Sequence, residues 1–476
     1  MTGSIVLFFE LHQPLRLHKL SLFSPLALPE TFDNAIDWEG NYRILDRVVN
    51  KTYYAATKIL YDVTKEVKGF KVTMSISGVL LEMLSKRHPE VIDLLSKLID
   101  LGALELTAQT YYHSLAWLID ENEFKEQVRA HVELLKTLFG VRPDVAENTE
   151  FIYNNDVGCA LASMGFKGVI TEGVDHVLGW RSPNYVYQNP LCGIKVLLRN
   201  YRLSDDIGFR FSDKKWDQYP LTADKYSEWV ARSPGDLVVV ALDYETFGEH
   251  HWPESGIYEF LRWLPIELNR RGVSFLTASE ALALEPKDFY DIPPWRTISW
   301  ADERDLSAWL GNELQRTSLK TLRRYYYFSR AAGEAYLRMW RLLSISDHLY
   351  YMATKGGSEG EVHSYFSYLG SPYDAFMTYG YALQLLGREL SKAFKDRPCN
   401  LLSLRLPEEL CYKFINGEGK TIATACSIPD IVRLASELPP TIVERDLKSG
   451  SLDTWSRELF NLRFGDLLKL NDMCSA

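Results

Sequence analysis

The 476-residue sequence predicts an α/β protein that begins with a parallel β/α barrel and continues into a helical region. Short apolar runs alternate with helical patterns over the first ~285 residues, which is typical of parallel strands joined by right-handed crossovers. About seven or eight such strands favour a closed barrel over an open sheet, although the pattern alone leaves closure open. A change in composition at Pro286–Trp300, which includes Pro293 and Pro294, marks the start of the helical region.

Strands are predicted where apolar or β-branched runs are short, and helices where apolar residues recur every three to four positions. The predicted strands are Ser4–Phe9, Phe70–Ile76, Ala103–Thr107, Val145–Asn148, Gly168–Thr171, Ile194–Leu198, Leu237–Leu242 and Ser274–Thr277. The predicted helices of the barrel include Ile44–Val67, Pro89–Asp100 and Glu123–Phe139. Beyond the boundary, Asp305–Ala353 and Tyr373–Phe394 are predicted as long helices, followed from Pro398 by short strands and helices.

The composition excludes several classes of protein. Lys and Arg number 53 against 63 Asp and Glu, a formal charge of −10, which argues against nucleic acid or a membrane as the main partner. The six cysteines form no C-x-x-C pair, and scattered single cysteines are typical of a reducing cytoplasm. The N-terminal apolar run Ile5–Phe9 is too short for a signal peptide. Aromatic residues make up 13%, and Tyr and Trp rings suit sugar faces as well as protein cores.

Polar residues lie in or just after the predicted strands. They are Glu10, His12, Glu105, Gln109, Glu150, Asp243, Glu245 and Glu280. Because the carboxyl ends of parallel barrel strands open onto one face, we expect acidic groups from distant positions to converge there. Cleavage of a glycosidic bond needs two carboxyl groups, and Glu150 and Asp243 are good candidates. On pattern alone, Glu105, Glu245 and Glu280 are equally acidic.

Five segments, in order, resemble the signature regions of glycoside hydrolase family 57, and most closely those of its α-amylase branch. They are His12–Pro14, Gly102–Leu106, Glu147–Asn154, Asp243–His250 and Leu276–Glu280. The flanking segments Tyr111–Ser114, Ser299–Asn312, His363–Phe366 and Ser371–Phe376 also match. The resemblance covers nearly the whole chain to about residue 395 and the tail more loosely.

The resemblance implies a (β/α)7 barrel followed by a helical bundle, acting on α-glucans with retention of configuration and without a cofactor or catalytic metal. It places the nucleophile at Glu150 and the general acid/base at Asp243, and maps the first-region His to His12 and the second-region Glu to Glu105. His12 is expected to bind a substrate hydroxyl, and Glu105 to hold sugar hydroxyls or orient His12. The expected domains are a catalytic barrel over residues 1–285, a helical bundle contributing to the substrate cleft over 286–395, and a C-terminal mixed segment over 396–476.

Further residues are candidates for substrate binding. They are His113, Glu245, Trp252, Trp300, Tyr112 and Asp302, of which the three aromatic residues are predicted to stack on glucose rings. His113 is equally consistent with a structural network. Adjacent His250 and His251 do not have the spacing of a helical metal site, so no metal is expected there. Glu147 departs from the family pattern and adds an acid close to Glu150, which either raises the pKa of the nucleophile or points elsewhere.

The predicted function is that of a retaining α-1,4-glucan hydrolase of the α-amylase type, with an α-glucan as its partner and a cytoplasmic location. A 4-α-glucanotransferase or a glycogen-branching enzyme uses the same intermediate with a sugar acceptor in place of water. A catalytically idle glucan-binding protein and a metal-dependent carbohydrate deacetylase are the alternatives from other classes. The oligomeric state is left open.

Overall fold

The computed structural model describes residues 3–20, 29–301, 303–355, 367–460 and 462–475. Packing divides the chain into two compact units. The first comprises Met1–Lys19, Ile36–Arg316 and Ser344–Ala375, and the second Leu20–Ala35, Thr317–Leu343 and Phe376–Ala476. These divisions do not coincide with the boundaries predicted at residues 285 and 395, because the packing of a unit can join segments that are distant in the sequence.

The first unit is built on a sheet of nine strands in the described part of the chain. They are β1 (Ser4–Leu11), β2 (Val72–Ile76), β3 (Leu104–Leu106), β4 (Val145–Ala146), β5 (Gly168–Glu172), β6 (Val186–Gln188), β7 (Lys195–Arg199), β8 (Leu237–Asp243) and β9 (Ser274–Phe275). Seven of them pair in parallel in the order β3-β2-β1-β8-β7-β5-β4. The antiparallel β6, which the sequence analysis missed, pairs with β7, and β9 pairs with the beginning of β1.

The two ends of this strand order meet and close the barrel. Ala108, just after β3, lies in a parallel bridge with Ala146 of β4. The amide of Ala108 donates to the carbonyl oxygen of Val145 at 3.1 Å, and the amide of Glu147 donates to the carbonyl oxygen of Ala108 at 2.9 Å. The predicted parallel (β/α)7 barrel is therefore confirmed, including the closure that the sequence pattern left open.

Helices surround the strands. In the first unit they are Trp38–Val48, Ala55–Glu66, Gly78–Arg87, Pro89–Asp100, Glu121–Phe139, Asn155–Ser163, Asp175–Leu178, Tyr201–Gly208, Ala223–Arg232, Ile257–Arg270, Ala278–Ala281, Ser307–Leu310 and Ser346–Tyr350. The helix predicted to start at Glu123 begins two residues earlier, because the Asp120 side chain accepts from the amides of Asn122 and Glu123. It ends at Gly140, whose φ of 69° suits a residue without a β-carbon.

The second unit is mostly helical. Its helices, two of which begin in the first unit, are Glu313–Ala332, Glu334–Leu343, Pro372–Asp396, Ile428–Glu437, Pro440–Lys448, Ser451–Phe460 and Phe464–Ser475. Strands β10 (Tyr412–Ile415) and β11 (Thr421–Ala425) form an antiparallel pair. The single helix predicted over Asp305–Ala353 is wrong, because Gly333 has a φ of 114° and Ile345 has an extended ψ of 130°.

The cysteines also differ from the expectation of single, unpaired thiols. Cys399 is bonded to Cys474 and Cys411 to Cys426, so four of the six cysteines form disulfides. The members of the pairs are 75 and 15 residues apart, a spacing that no local motif reveals. No helix within the described ranges is both long and apolar enough to cross a membrane.

The inward face of the barrel changes from apolar to charged along the strands. Because side chains alternate between the two faces of a strand, every second residue points inward. The buried apolar cluster inside the barrel includes Val6, Phe8, Val145, Ile170, Leu197, Val239 and Ala241. The next positions of the same alternation, at the carboxyl ends, are Glu10, Glu147, Glu172, Arg199 and Asp243. The sequence thus concentrates charge at one end of the barrel above an apolar floor.

Candidate active site

A cavity of about 230 Å³ opens at the charged end of the barrel. One water molecule needs roughly 10–15 Å³, so the cavity is large enough for a larger polar ligand. The carboxyl groups that line it are Glu10, Glu150, Asp205, Asp243, Glu245, Glu303 and Asp347. The basic side chains that line it include His12, His113, Arg199, Arg304 and Lys355. The convergence of acidic groups predicted from the strand ends is therefore seen at a single cavity.

Glu150 is held by hydrogen bonds to both of its carboxyl oxygens. It lies in a single turn, Thr149–Phe151, that follows β4. The indole Nε1 of Trp300 donates to Oε2 at 2.7 Å, and the hydroxyl of Ser346 donates to Oε1 at 2.8 Å. Glu150 has a φ of 60° and the following Phe151 a φ of 52°. Such left-handed residues cost free energy and persist where the surroundings fix them, as the two donors do here.

His12 and His113 stack at the cavity with their ring centroids 4.1 Å apart. Burial, together with the charge of His113, lowers the pKa of His12 to about 4, so His12 is neutral at pH 7. Its Nε2 lies 3.1 Å from Oδ2 of Asp347 and its Nδ1 2.7 Å from the Ser77 hydroxyl. Because a carboxylate only accepts, we assign the proton to Nε2, which donates to Asp347. Although burial opposes it, the neighbouring histidines lower the pKa of Asp347 below its ordinary value.

Asp243 and Glu245 both have raised pKa values. Burial, and next the charge of Glu150, raises the pKa of Asp243 to about 7, against the opposing effect of Arg199 and His113. Burial, and next the charge of Asp243, raises the pKa of Glu245 to about 8, although hydrogen bonds from Tyr53 and Gln13 oppose it. Near neutral pH, Asp243 therefore holds its proton part of the time, which is the state that a general acid requires.

Glu10 and Glu147 are buried carboxyl groups to which the sequence assigned no catalytic or binding role. Glu10 pairs in register with Asp243 across β1 and β8 and is 2% exposed. Burial and then the charges of Glu147 and Glu150 raise the pKa of Glu10 well above its ordinary value. Burial raises the pKa of Glu147 to about 8, against the effect of Ser75 and His113. Glu147 is therefore mainly protonated at pH 7, and burial disfavours the charged form of Glu10 as well.

Two arginines and two acids form a network next to Trp300. Arg199, at the last position of β7, donates from Nη1 to Oε2 of Glu172 at 2.8 Å and from Nη2 to Oδ1 of Asp205 at 2.5 Å. Arg304 lies 3.2 Å from the same oxygen of Glu172 and donates to the carbonyl oxygen of Trp300. This network secures the segment that carries the indole donor. In the sequence, the signal for this network was a charged residue at the last inward-facing position of each strand, Glu172 on β5 and Arg199 on β7.

Several sequence-predicted binding residues lie elsewhere. Glu105 is not among the described residues that line the cavity. It accepts hydrogen bonds from the Thr73 hydroxyl at 3.3 Å and the Ser279 amide at 3.1 Å. Glu105 pairs in register with Thr73, whereas Ser75, two residues later on β2, pairs with Glu10. Glu105 therefore lies roughly 6–7 Å further than Glu10 from the open end of the barrel. Its predicted contact with sugar or His12 is therefore not seen.

Two of the three predicted stacking residues are also outside the cavity. Tyr112 is 5% exposed and packs against Tyr111 with ring centroids 4.9 Å apart, so it has no open face. Trp252 is exposed and lies under the Lys51 ammonium, 5.4 Å from the ring centroid, but is absent from the described residues that line the cavity. Trp300 does line it. Asp302 and the flanking segment His363–Phe366 lie outside the described residues.

The His250–His251 segment is held by other contacts. His251 bonds to the Ser212 hydroxyl at 2.8 Å and to the carbonyl oxygen of Ile207 at 2.9 Å, and Glu249 pairs with Arg47. Within the part of the chain that the structure describes, no three His, Cys, Asp or Glu side chains are grouped so that they would hold a metal ion.

Comparisons with known proteins agree with this geometry. A family model described as "Glycosyl hydrolase family 57" matches residues 6–293. The chain is 44% identical over 384 residues to a Methanocaldococcus jannaschii protein named "Putative alpha-amylase", covering 78% of this chain and 81% of that protein.

Two solved structures have a similar fold. A GH57 branching enzyme from Thermococcus kodakaraensis matches with a TM-score of 0.59 at 15% identity, covering 83% of this chain and 92% of that one. The 4-α-glucanotransferase from Thermococcus litoralis matches with a TM-score of 0.58 at 17% identity, covering 82% of this chain and 60% of that one. At these identities the two similarities concern the fold alone.

Proposed function

Because the chain belongs to glycosyl hydrolase family 57 and is a glycoside hydrolase, we propose that it hydrolyses α-1,4-linked glucans with retention of configuration. Glu150 is the proposed nucleophile and Asp243 the proposed general acid/base. The observation that carries the proposal is that these two carboxyl groups line one cavity in different environments. Donors surround Glu150, whereas burial and the charge of Glu150 raise the pKa of Asp243 to about 7. A carboxyl group with a raised pKa beside one that accepts two hydrogen bonds is the arrangement that a general acid and a nucleophile require.

In the proposed first step, ionised Glu150 attacks the anomeric carbon while Asp243 protonates the departing glycosidic oxygen. A covalent glycosyl-enzyme forms, and the leaving sugar chain takes the proton of Asp243. The negative charge of the site thereby moves from Glu150 to Asp243. The Trp300 and Ser346 donors orient Glu150 toward the cavity before the sugar arrives, which reduces the reorganisation that the transition state needs.

In the second step, Asp243 removes a proton from an incoming water molecule, which attacks the same anomeric carbon from the face that the leaving group vacated. The bond between that carbon and Glu150 breaks, and Glu150 leaves as the carboxylate. Two inversions give net retention. A sugar hydroxyl in place of water gives transfer by the same chemistry. Glucanotransferase and branching activities are therefore the alternatives to hydrolysis within this proposal.

The cavity walls support a sugar chain as the substrate. His12 and Glu245 line the cavity beside the proposed catalytic pair and are proposed to bind sugar hydroxyls. The half-exposed ring of Phe209 also lines the cavity, and an exposed aromatic face there suits stacking on glucose better than the buried Tyr112 does. The proposed substrates are starch, glycogen and maltooligosaccharides.

A cytoplasmic location stays a prediction within this proposal. The two disulfides weaken the sequence argument for it, because disulfides are rare in a reducing cytoplasm outside hyperthermophiles. Fractionation of the cells in which the protein is made, followed by detection of the protein, tests the location directly.

Product analysis on maltoheptaose tests the proposed reaction. We expect reducing ends to increase with time and the first-formed product to carry the α-anomer in the proton NMR spectrum. A Glu150→Gln, Asp243→Asn double variant, purified in parallel, controls for a contaminating amylase. Constant reducing ends with redistributed chain lengths would assign the protein to transfer. Binding without any product would assign it to the idle glucan-binding alternative, and a β-anomer would contradict retention.

A further inference from the structure

His113 stands between the proposed nucleophile and the buried end of β1. Its Nε2 lies 3.6 Å from Oε1 of Glu150, and its Nδ1 lies 3.1 Å from Oε1 of Glu10. The hydrogen-bond partner of Nδ1 is Oε1 of Gln109, at 2.9 Å. His113 is 4% exposed, so water does not compete for these nitrogens to any large extent.

The orientation of Gln109 decides what His113 must provide. The amide nitrogen Nε2 of Gln109 donates to the Ser75 hydroxyl at 2.8 Å, which leaves its oxygen facing Nδ1 of His113. Nδ1 must therefore carry a hydrogen. Nε2 faces a carboxylate, which would repel a nitrogen lone pair and attract an N–H group. A neutral imidazole carries only one N–H, and only the doubly protonated ring satisfies both sides.

The groups around His113 favour this charge. Burial alone would lower its pKa, but the hydrogen bond and charge of Glu150, with the charge of Asp347, outweigh burial and raise the pKa above the ordinary value. Burial also raises the pKa of Glu10 well above its ordinary value, which disfavours a second carboxylate beside the imidazolium. The stacked His12 is neutral, with a pKa of about 4, which avoids two cations in contact.

The backbone of His113 is also fixed in an unfavourable conformation. Its φ of 47° is uncommon for a residue with a side chain, although histidine adopts this region more often than most. The amide of His113 donates to the carbonyl oxygen of Thr110, and its own carbonyl oxygen accepts from the amide of Ser346, both at 3.0 Å. Ser346 is also the hydroxyl donor to Glu150. The backbone hydrogen bond between Ser346 and His113 thus places the His113 ring and the Ser346 hydroxyl beside the same oxygen, Oε1 of Glu150.

We propose that His113 is a positioning residue that holds a positive charge beside Oε1 of Glu150, so that Glu150 serves as the carboxylate of the proposed catalytic pair. The inference rests on the proposed function for its catalytic meaning and deepens it. In this role His113 acts through Glu150, which differs from the substrate-binding role predicted from the sequence. The same positive charge also lowers the pKa of Asp243, against the larger effects of burial and Glu150.

Two matched variants separate charge from hydrogen bonding. His113→Gln replaces the cation with a neutral side chain that keeps an N–H donor, whereas Ser346→Ala removes a neutral donor to the same oxygen of Glu150. The measurement is kcat/KM for maltoheptaose against pH. In His113→Gln we expect both limbs of the profile to move to higher pH by on the order of one unit, which is a tenfold loss on the acidic side. In Ser346→Ala we expect a smaller shift of the acidic limb and no shift of the basic limb.

The proposal would be overturned if, in His113→Gln, the basic limb stayed in place and the acidic limb moved no further than in Ser346→Ala. Circular dichroism and thermal unfolding of both variants establish that each is folded, and a folding failure of His113→Gln is met by the following measurement on the wild-type protein.

Imidazole NMR gives a readout that does not depend on turnover. The ¹³Cε1–¹H signals of the wild-type protein are followed from pH 5 to 9. The signal of His113 is assigned by its nuclear Overhauser contacts with the stacked His12 ring, and by its absence in His113→Gln where this variant folds. We expect His113 to titrate above the ordinary histidine range near 6.5. Titration below that range would overturn the inference even if the protein hydrolyses glucans. A charged His113 in a protein without hydrolysis would instead refute the proposed function alone.

Discussion

The indole nitrogen of Trp300 lies 2.7 Å from Oε2 of Glu150 and donates a hydrogen bond to it. The two residues are 150 positions apart, and the backbone amide of Trp300 also donates to the carbonyl oxygen of Glu150 at 3.1 Å. The Arg304 guanidinium donates to the carbonyl oxygen of Trp300 and so secures its backbone. Trp300 is thus a hydrogen-bond donor to the proposed nucleophile, and its stacking on a sugar ring stays a prediction.

Trp300→Phe keeps an aromatic ring but removes this donor. Because a hydrogen bond to a charged group contributes roughly 1.5–3 kcal/mol, we expect kcat on maltoheptaose to fall about 10- to 150-fold. Steady-state kinetics measure the change. Trp180→Phe, at a 95% exposed tryptophan, serves as the matched control and should leave kcat unaltered. A loss confined to KM would indicate that Trp300 acts as a sugar platform instead.

Glu150→Gln and Asp243→Asn keep the size of each side chain and remove its acid chemistry. Each is expected to lower kcat by several orders of magnitude, because each removes a group that acts in the transition state. Azide should restore turnover of an activated glycoside in Glu150→Ala and give a glycosyl azide, which mass spectrometry detects. Normal activity in either conservative variant would refute the assignment of the pair.

The pKa of Asp243 sets the alkaline side of the pH profile. Asp243 must be protonated to act as an acid, and its pKa is raised to about 7 by burial and by Glu150. Below that pH the acid form predominates, and above it the proton is lost. We therefore expect kcat/KM to decrease above about pH 7, approaching a tenfold loss for each further pH unit. A decrease that begins near pH 4, the ordinary range of aspartate, would contradict this environment for Asp243.

Glu172→Gln leaves Arg199 without its buried partner. The Arg199 side chain is 5% exposed and Glu172 fully buried, but Asp205 remains as a second acid beside Arg199. The partly uncompensated charge should therefore lower the free energy of unfolding by up to roughly 3–5 kcal/mol. Urea denaturation followed by tryptophan fluorescence measures the change. Asp175→Asn breaks the exposed ion pair with Arg202 and should cost no more than about 1 kcal/mol. Equal effects of the two variants would show that the buried network is not a main source of stability.

The two disulfides predict how many cysteine thiols a reagent can modify before and after reduction. Cys159 and Cys192 carry free thiols, so the unfolded, unreduced protein should react with two equivalents of a thiol reagent. After reduction and removal of the reductant, six equivalents are expected. Six equivalents without reduction would restore the expectation of single cysteines that the sequence analysis made.

Much of the barrel follows from local patterns. The helix Pro89–Asp100 agrees with its predicted bounds, and the strands found at 168–172, 195–199 and 237–243 differ from their predictions by one or two residues. These elements have strong apolar runs or caps, which depend only on neighbouring residues. The antiparallel β6 was missed because a three-residue strand has too few positions to show an alternation.

The candidate site was predicted in part. His12, Glu150, Asp243, Glu245, His113 and Trp300 meet at the cavity, as expected for residues at the strand ends or in the flanking segments. Arg199, Asp205, Arg304 and Asp347 line it too but were not singled out for it, and Glu10 was expected at the strand ends without an assigned role. Asp347 was hidden within a long predicted helix, and its pairing with His12 spans 335 residues. No local pattern contains such a contact.

By itself, the sequence determined the alternation of strands and helices, the apolar floor of the barrel and the position of charged residues at the strand ends. These properties follow from side-chain periodicity and hydrophobic burial, which are local. Only the tertiary structure decided that the barrel closes through Ala108 and Ala146, and that Glu105 lies below the cavity while Glu10 borders it. It also decided which groups are charged, because the protonation of Glu147, Asp243 and His113 depends on burial and on partners from other strands.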